Sequence, residues 1–332
     1  MSLSKGLAIL AVMLFAFVAI VGIFKKATRS DNGIGVTSER IPSEIELVSN
    51  AVGKQQSKDH NGTAVTRQNN GDFLEVDRID EFFNTGLPKF PIVETITYKS
   101  KVPWKQGRPA WIVDYASHYG TSRHFIARSL NKGPDYDTQK VVNGDHFNVF
   151  RSDKNIQFHL VVDISKAKMR FYYYDVDADE RMLVKTYSVG IGKPDSRKAS
   201  RFLTPKGKYS IGNNIAVYRP GMRGIYNGEN TEMIRVFGTR WIPFGEEIFG
   251  ATEPADGYGI HGVPWRFDNA VNRLMDDSSS IGKYESDGCL RLLTEDIEEL
   301  FSIIITKPAF IEIVDDFYDA MLPGREITDE VH

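Results

Sequence analysis

The run Phe158-His159-Leu160-Val161-Val162-Asp163, followed after five residues by Met169-Arg170-Phe171-Tyr172-Tyr173-Tyr174, decides the fold class. Both runs are rich in β-branched and aromatic side chains, which suit a pleated surface, and Ile164-Ser165-Lys166-Ala167-Lys168 between them reads as a hairpin connection. Outward toward the C-terminus, further extended runs are expected at 183–189, 207–211, 233–237 and 310–314. One long helix interrupts them, 294–304, where Thr294 stands in position to cap and Ile297, Leu300, Phe301 and Ile304 recur on one apolar face. These patterns predict a mainly β domain over 151–318, with 319–332 as a C-terminal tail.

Toward the N-terminus the texture changes. Apolar residues at Ile112, Tyr115, Ala116, Tyr119, Phe125, Ile126 and Leu130 predict two short helices broken at Gly120-Thr121. Beyond them Val141-Val142 and Phe147-Asn148-Val149-Phe150 flank a turn at Asn143-Gly144-Asp145. Residues 73–150 therefore read as a small α+β module. Residues 27–72 include VGKQQSKDHNGTAVTRQNNG, polar and without periodicity, and read as a flexible linker. Residues 1–26 hold the uncharged run GLAILAVMLFAFVAIVGIF, whose 19 residues as a helix span about 28 Å, the thickness of a hydrocarbon core. It is too long for a cleavable signal peptide and ends in Gly-Ile-Phe-Lys-Lys rather than a small-residue cleavage site, so it is expected to be an uncleaved transmembrane anchor.

Composition narrows the function. With 332 residues the chain has room for about two domains, and 41% hydrophobic with 26% charged residues is ordinary for a globular protein. Lys+Arg 41 against Asp+Glu 44 leaves a net charge of -3, which gives no basis for binding nucleic acid. A single cysteine, Cys289, cannot form an internal disulfide and is either an inert buried thiol or a reactive one.

Its neighbours favour reactivity. Cys289 lies in Ser286-Asp287-Gly288-Cys289-Leu290-Arg291-Leu292, and 28 positions before it stands Gly259-Ile260-His261-Gly262. A free thiol is only about 3% thiolate at pH 7, so a nucleophilic cysteine needs a base. Of seven histidines, His60 lies in the linker, His332 is terminal, and His118, His124 and His146 belong to the first module. Of the remaining two, His159 and His261, only His261 sits between glycines that allow close approach. Gly288 likewise lets the backbone turn so that amide N–H groups face a developing oxyanion.

Together and in this order, these segments resemble the L,D-transpeptidase family, whose signature is a His-Gly pair followed by a Ser/Thr-x-Gly-Cys-aliphatic-Arg/Asn block. The resemblance extends over roughly 155–315, through Tyr187-Ser188-Val189-Gly190-Ile191-Gly192 and Leu203-Thr204-Pro205-Lys206-Gly207-Lys208-Tyr209. The sequence departs from the family at Asp287, where many relatives carry histidine, and in the long insertion 263–285 with its Asp276-Asp277-Ser278-Ser279-Ser280.

The resemblance implies a β-sandwich-like catalytic domain in which Cys289 attacks a peptidoglycan stem peptide and His261 shuttles the proton. Backbone N–H groups around Asp287, Gly288 and Cys289 would hold the oxyanion. Ser286 either orients His261 or satisfies backbone donors at the turn, and Arg291 either holds a stem carboxylate or fixes the loop. Gly262, Tyr258, Trp265 and Trp241 line the cleft or pack as ordinary core. Transfer to an amine, hydrolysis by water as an L,D-carboxypeptidase, and a non-catalytic wall-binding role all remain open at this point. The first module resembles a degenerate lysin motif through Ile112, Ala116, Tyr119-Gly120, Leu130-Asn131 and Gly144, although the opening Gly-Asp-Thr is missing, Gly107 being followed by Arg108-Pro109. Glycan binding and a spacer role are equally open for it.

No cofactor is expected. One cysteine and one relevant histidine cannot assemble a zinc site, so no metal is expected, and Gly190-Ile191-Gly192 closes a strand without the continuation of a nucleotide-binding loop. The expected location is the bacterial cell envelope, anchored in the cytoplasmic membrane with the catalytic domain outside. Lys25, Lys26 and Arg29 beyond the apolar run oppose that orientation, and the extracytoplasmic substrate favours it.

Overall fold

The computed structural model describes residues 63–64, 75–133 and 140–327. The apolar run 6–24 and nearly all of the 27–72 linker lie outside these residues. Among the described residues no helix is long and apolar enough to cross a membrane.

The first module follows a helical turn, Asp80–Phe83, with β1 (Val93–Thr97), α1 (Ile112–Tyr119), α2 (Arg123–Asn131) and β2 (His146–Phe150). The two helices part at Gly120, which takes the left-handed conformation at φ 56° and so ends α1. Ser122 then caps α2 by accepting the Phe125 N–H at 2.9 Å. The turn at 143–145 is present, closed by Asp145 N–H to Val142 O at 3.0 Å. Only its C-terminal side is a strand, however: β2 pairs antiparallel with β1, from Val93↔Phe150 to Thr97↔His146. Val141 and Val142 are too few to form a ladder, and Val142 is exposed.

The region from 156 onward supplies β3 (Ile156–Asp163), β4 (Lys168–Asp175), β5 (Glu180–Ser188), β6 (Gly207–Ile211), β7 (Arg240–Phe249), β8 (Gly259–Gly262), β9 (Leu290–Leu292), α3 (Thr294–Ile304) and β10 (Ala309–Val314). They join in the order β9-β8-β7-β6-β10-β3-β4-β5, with Arg325–Glu326 at the far edge and Ala216–Val217 beside β7. The expected hairpin is β3–β4, in register from Ile156↔Asp175 to Asp163↔Lys168. The mainly β expectation holds, and among the described residues the layering takes the form of one mixed ten-stranded sheet. The register of β7 opposite β6 shifts between Phe244 and Glu247 and again between Glu247 and Phe249, interrupting the ladder there.

Alternation explains why β3 and β4 are apolar almost throughout. Phe158, Leu160, Val162, Phe171 and Tyr173 face a large core that also holds Ile79, Phe82, Phe90, Phe125 and Phe150 of the first module and Ile297, Leu300, Phe301 and Ile304 of α3. Val161 and Tyr172 face a second cluster with Phe317, Ala320 and Leu322. The sheet is therefore covered on both faces, as a near-continuous apolar run requires. Residues 319–327, expected as part of a tail, contribute to that second layer and to the sheet edge through Arg325–Glu326, parallel to β5.

Two local expectations are corrected. Residues 233–237 are not extended: Ile234–Phe237 is one helical turn. Its apolar residues serve a cluster with Tyr218 and Met233, and the strand pairing nearby is made instead by the hairpin Arg223–Tyr226 with Glu229–Glu232 across Asn227-Gly228, a favoured two-residue hairpin turn. Thr294 is the first residue of α3 rather than its cap; Leu293 precedes the helix with no side-chain cap, and the buried Thr294 hydroxyl has no hydrogen-bond partner among the described residues.

Candidate active site

β8 and β9 lie side by side in parallel, pairing Ile260↔Leu290, His261↔Arg291 and Gly262↔Leu292. Paired residues of a parallel ladder project from one face, and residues two apart share that face. His261 and Arg291 therefore stand together, with Cys289 at the entrance to the same strand. The Arg291 charge acts on both groups, disfavouring imidazolium at His261 and favouring thiolate at Cys289. A sequence separation of 28 residues is thus closed by two short strands.

The electrostatics describe a neutral pair. Burial pushes the Cys289 thiol up to about 11, opposed by the Gly259 N–H and by Arg291, and reinforced by Asp287. Its Sγ lies 3.6 Å from Gly257 O. Burial likewise brings His261 down to about 4, opposed by the carbonyls of Gly262 and Phe237. The ring Nδ1 is 2.7 Å from Gly262 O. A carbonyl only accepts, so Nδ1 carries the hydrogen, and Nε2 of the neutral ring is the nitrogen left to take a proton. Phe237, edge-on at 5.4 Å, and Trp241 at 6.1 Å keep the ring in an apolar wall.

The loop before Cys289 is pinned by its own serine. Ser286 Oγ accepts the Gly288 N–H at 3.1 Å and donates to Cys289 O at 2.6 Å. Of the two roles open to Ser286, satisfying the turn is the one its hydrogen bonds perform. Gly288 has φ 127°, in the half of the map that side chains avoid, and a Cβ there would lie 2.7 Å from the Tyr258 ring. Glycine is thus required twice over. The loop is also gripped from outside: Ile191–Gly192 pairs parallel with Tyr284–Ser286, and Gly190 exchanges two 2.9 Å backbone bonds with Arg291.

The remaining expected residues fall into different places. Asp287 is exposed and pairs with Lys193 at 2.8 Å, a contact whose exposure leaves it worth about 0–1 kcal/mol. Tyr258 forms the wall beside Gly288, and its hydroxyl is raised mainly by burial. Gly262 is buried, a Cβ there being 3.2 Å from Ile297 of α3, so it orients His261 through its carbonyl. Trp265 packs with Phe237 and Trp241 in one cluster, its buried indole N–H without a partner among the described residues. The buried Arg291 Nε has no hydrogen-bond partner among the described residues.

Two residues near the thiol were not singled out from the sequence. Tyr226, at the hairpin turn, is close enough for the charges of Cys289 and Asp287 to raise its hydroxyl after burial does. Thr204 is wholly buried and touches the Cys289 loop through Gly288 O. The Asn-Gly turn was a legible signal for the first; nothing in the spacing of Leu203-Thr204-Pro205 announced the second.

Residues 157–313 match the YkuD family, described as the L,D-transpeptidase catalytic domain. The chain is 27% identical over 191 residues to "Putative L,D-transpeptidase YkuD" of Bacillus licheniformis, covering 57% of this chain and 85% of that protein. It is 32% identical over 120 residues to "Putative L,D-transpeptidase YqjB" of Bacillus subtilis, covering 36% and 53%. Solved structures with a slight likeness include Bd1075 of Bdellovibrio bacteriovorus, at 16% identity and TM-score 0.33, covering 50% of each chain. Another is the helical cell shape determining protein Pgp2 of Campylobacter jejuni, at 15% and 0.33, covering 52% of this chain and 51% of that one. The chain thus spans about half the length of those solved proteins. Residues 157–313 belong to the YkuD family, the L,D-transpeptidase catalytic domain.

Proposed function

We propose that the chain is a cysteine-dependent L,D-transpeptidase acting on peptidoglycan stem peptides. The observation that carries this reading is the β8–β9 register, which sets His261 beside Arg291 and Cys289 at the end of a pinned loop, within a YkuD domain. In the proposed step Cys289 Sγ attacks the carbonyl of the third, diamino-acid residue while its proton passes to His261 Nε2. The S–C bond forms, the C–N bond to the terminal D-amino acid breaks, and His261 returns the proton to the leaving amine. An amine of a second stem then takes the acyl group from the thioester.

Backbone donors would steady the oxyanion. Since the Gly288 N–H is committed to Ser286 Oγ, that role falls to the N–H groups of Asp287 and Cys289. Incubating the protein with a stem tetrapeptide tests the proposal. The free D-amino acid and an acyl adduct on Cys289 are expected by mass spectrometry, and both are lost in Cys289→Ala, whose circular dichroism should be unchanged. Turnover by Cys289→Ala would refute the assignment. Mass spectrometry of the stem products separates cross-linked dimer from trimmed tripeptide, the outcome of a carboxypeptidase.

An envelope location goes with that substrate. The substrate lies outside the cytoplasmic membrane, so the apolar run 6–24 would anchor the chain with a cytoplasmic N-terminus and an exported catalytic domain. Alkaline phosphatase fused behind residue 60 should be active; an inactive fusion, with a cytoplasmic reporter active at the same point, would overturn the location.

A further inference from the structure

Thr204 is fully buried, and its single hydroxyl makes two directed bonds. It accepts the Gly192 N–H at 2.8 Å and donates its own hydrogen to Gly288 O at 2.8 Å. Neither contact leaves room for a substitute from the backbone side: a Cβ on Gly192 would lie 2.5 Å from the Thr204 nitrogen, and one on Gly288 would lie 3.0 Å from Leu203 O. The three residues form a clamp between the Gly190-Ile191-Gly192 segment and the nucleophile loop.

The consequence follows from peptide geometry. The C=O of Gly288 and the N–H of Cys289 belong to one planar trans peptide and point in opposite directions. A bond that fixes the carbonyl therefore also fixes the amide. Ser286 Oγ holds the neighbouring peptides, through the Gly288 N–H on one side and Cys289 O on the other. Three consecutive peptide planes around the nucleophile are thus set by two hydroxyls, and the middle plane is set by Thr204.

We infer that Thr204 is a positioning residue which, through Gly288 O, aims the Cys289 N–H at the oxyanion of the acyl intermediate. This rests on the transpeptidase reading above. Its chemical demand is a hydroxyl in that place, not a methyl group or a volume. Thr204→Val keeps the volume and removes both bonds; Thr204→Ser keeps both bonds and removes a methyl. A misaimed donor loses much of its value, since a displacement of about 1 Å near the chemistry can cost about 100-fold.

The test follows Cys289 acylation by a stem tetrapeptide in the full chain, by intact mass, alongside alkylation of Cys289 by iodoacetamide. In Thr204→Val, acylation kcat should fall about 10- to 100-fold with KM within about twofold, while alkylation, which needs no oxyanion donor, stays within about twofold. Thr204→Ser should recover to within about threefold of the parent. Thr204→Ala, which leaves space for a water, serves where the valine variant folds poorly. In whichever of these two variants folds, the Cys289 amide ¹⁵N–¹H resonance should shift, and it should return in Thr204→Ser. Wild-type acylation rates in the folded hydroxyl-free variants, an unmoved Cys289 amide in them, or a serine variant as impaired as valine would overturn the inference. Absence of acylation in the parent itself would instead refute the transpeptidase reading.

Discussion

Cys289 and His261 should behave at rest as a neutral thiol and a neutral imidazole, and alkylation kinetics can measure this directly. Burial takes the thiol from 9.0 to about 11 and the imidazole from 6.5 to about 4. At about 11 the thiolate population at pH 7 is about one in ten thousand, against about one to three in a hundred for an unshifted thiol. Iodoacetamide reacts with the thiolate, so the folded protein should be alkylated about 100-fold more slowly than the same chain unfolded in denaturant, after correction for the reagent's own denaturant dependence. The rate should climb about tenfold per pH unit from 6 to 10 without a plateau. A preformed thiolate–imidazolium pair predicts the opposite: a fast, level rate from about pH 5 to 8. That level profile would refute the neutral-pair reasoning and require proton transfer before substrate binding. In the proposed mechanism a neutral pair would pass the proton as the carbonyl is attacked, when the Cys289 and Asp287 amides would meet the growing oxyanion.

Two further outcomes concern stability. Phe82 is fully buried among Phe90, Phe125, Phe150, Phe158 and Phe171, so Phe82→Ala should cost about 3–5 kcal/mol by chemical denaturation, with one unfolding transition for the first module and the large sheet together. Two separate transitions, or a loss below about 1 kcal/mol, would contradict the shared core. His261 binds its proton more weakly folded than unfolded, so between about pH 4 and 6.5 the unfolded chain holds the extra proton and stability falls as pH drops through that window. The shift corresponds to about 3 kcal/mol, and denaturation midpoints of His261→Gln across the same window should lack that component.

Much of the architecture was readable before any coordinates. The β3–β4 hairpin, the break between α1 and α2 at Gly120 and the apolar face of α3 all follow from local periodicity and from one residue able to take a left-handed conformation. The errors lie where tertiary contacts outweighed local preference. Residues 233–237 look extended by composition, yet the cluster with Tyr218 is served by one helical turn. The strand 146–150 took a partner about fifty residues earlier, a pairing that no local pattern encodes.

The candidate site divides in the same way. The sequence alone singled out Cys289, His261 and the Gly288 turn, because a lone thiol needs a base and a sharp turn needs glycine, and both requirements are written in residue types. Only the tertiary structure decided what holds them: the parallel register of β8 and β9, the Gly262 carbonyl at His261, the two bonds of Ser286, and Thr204 reaching Gly288 across 84 residues. The thiol and the imidazole also carry their charges according to burial, which pushes one up and the other down. Burial and hydroxyl direction depend on what the rest of the chain brings alongside, and a linear string of residues holds no local record of either.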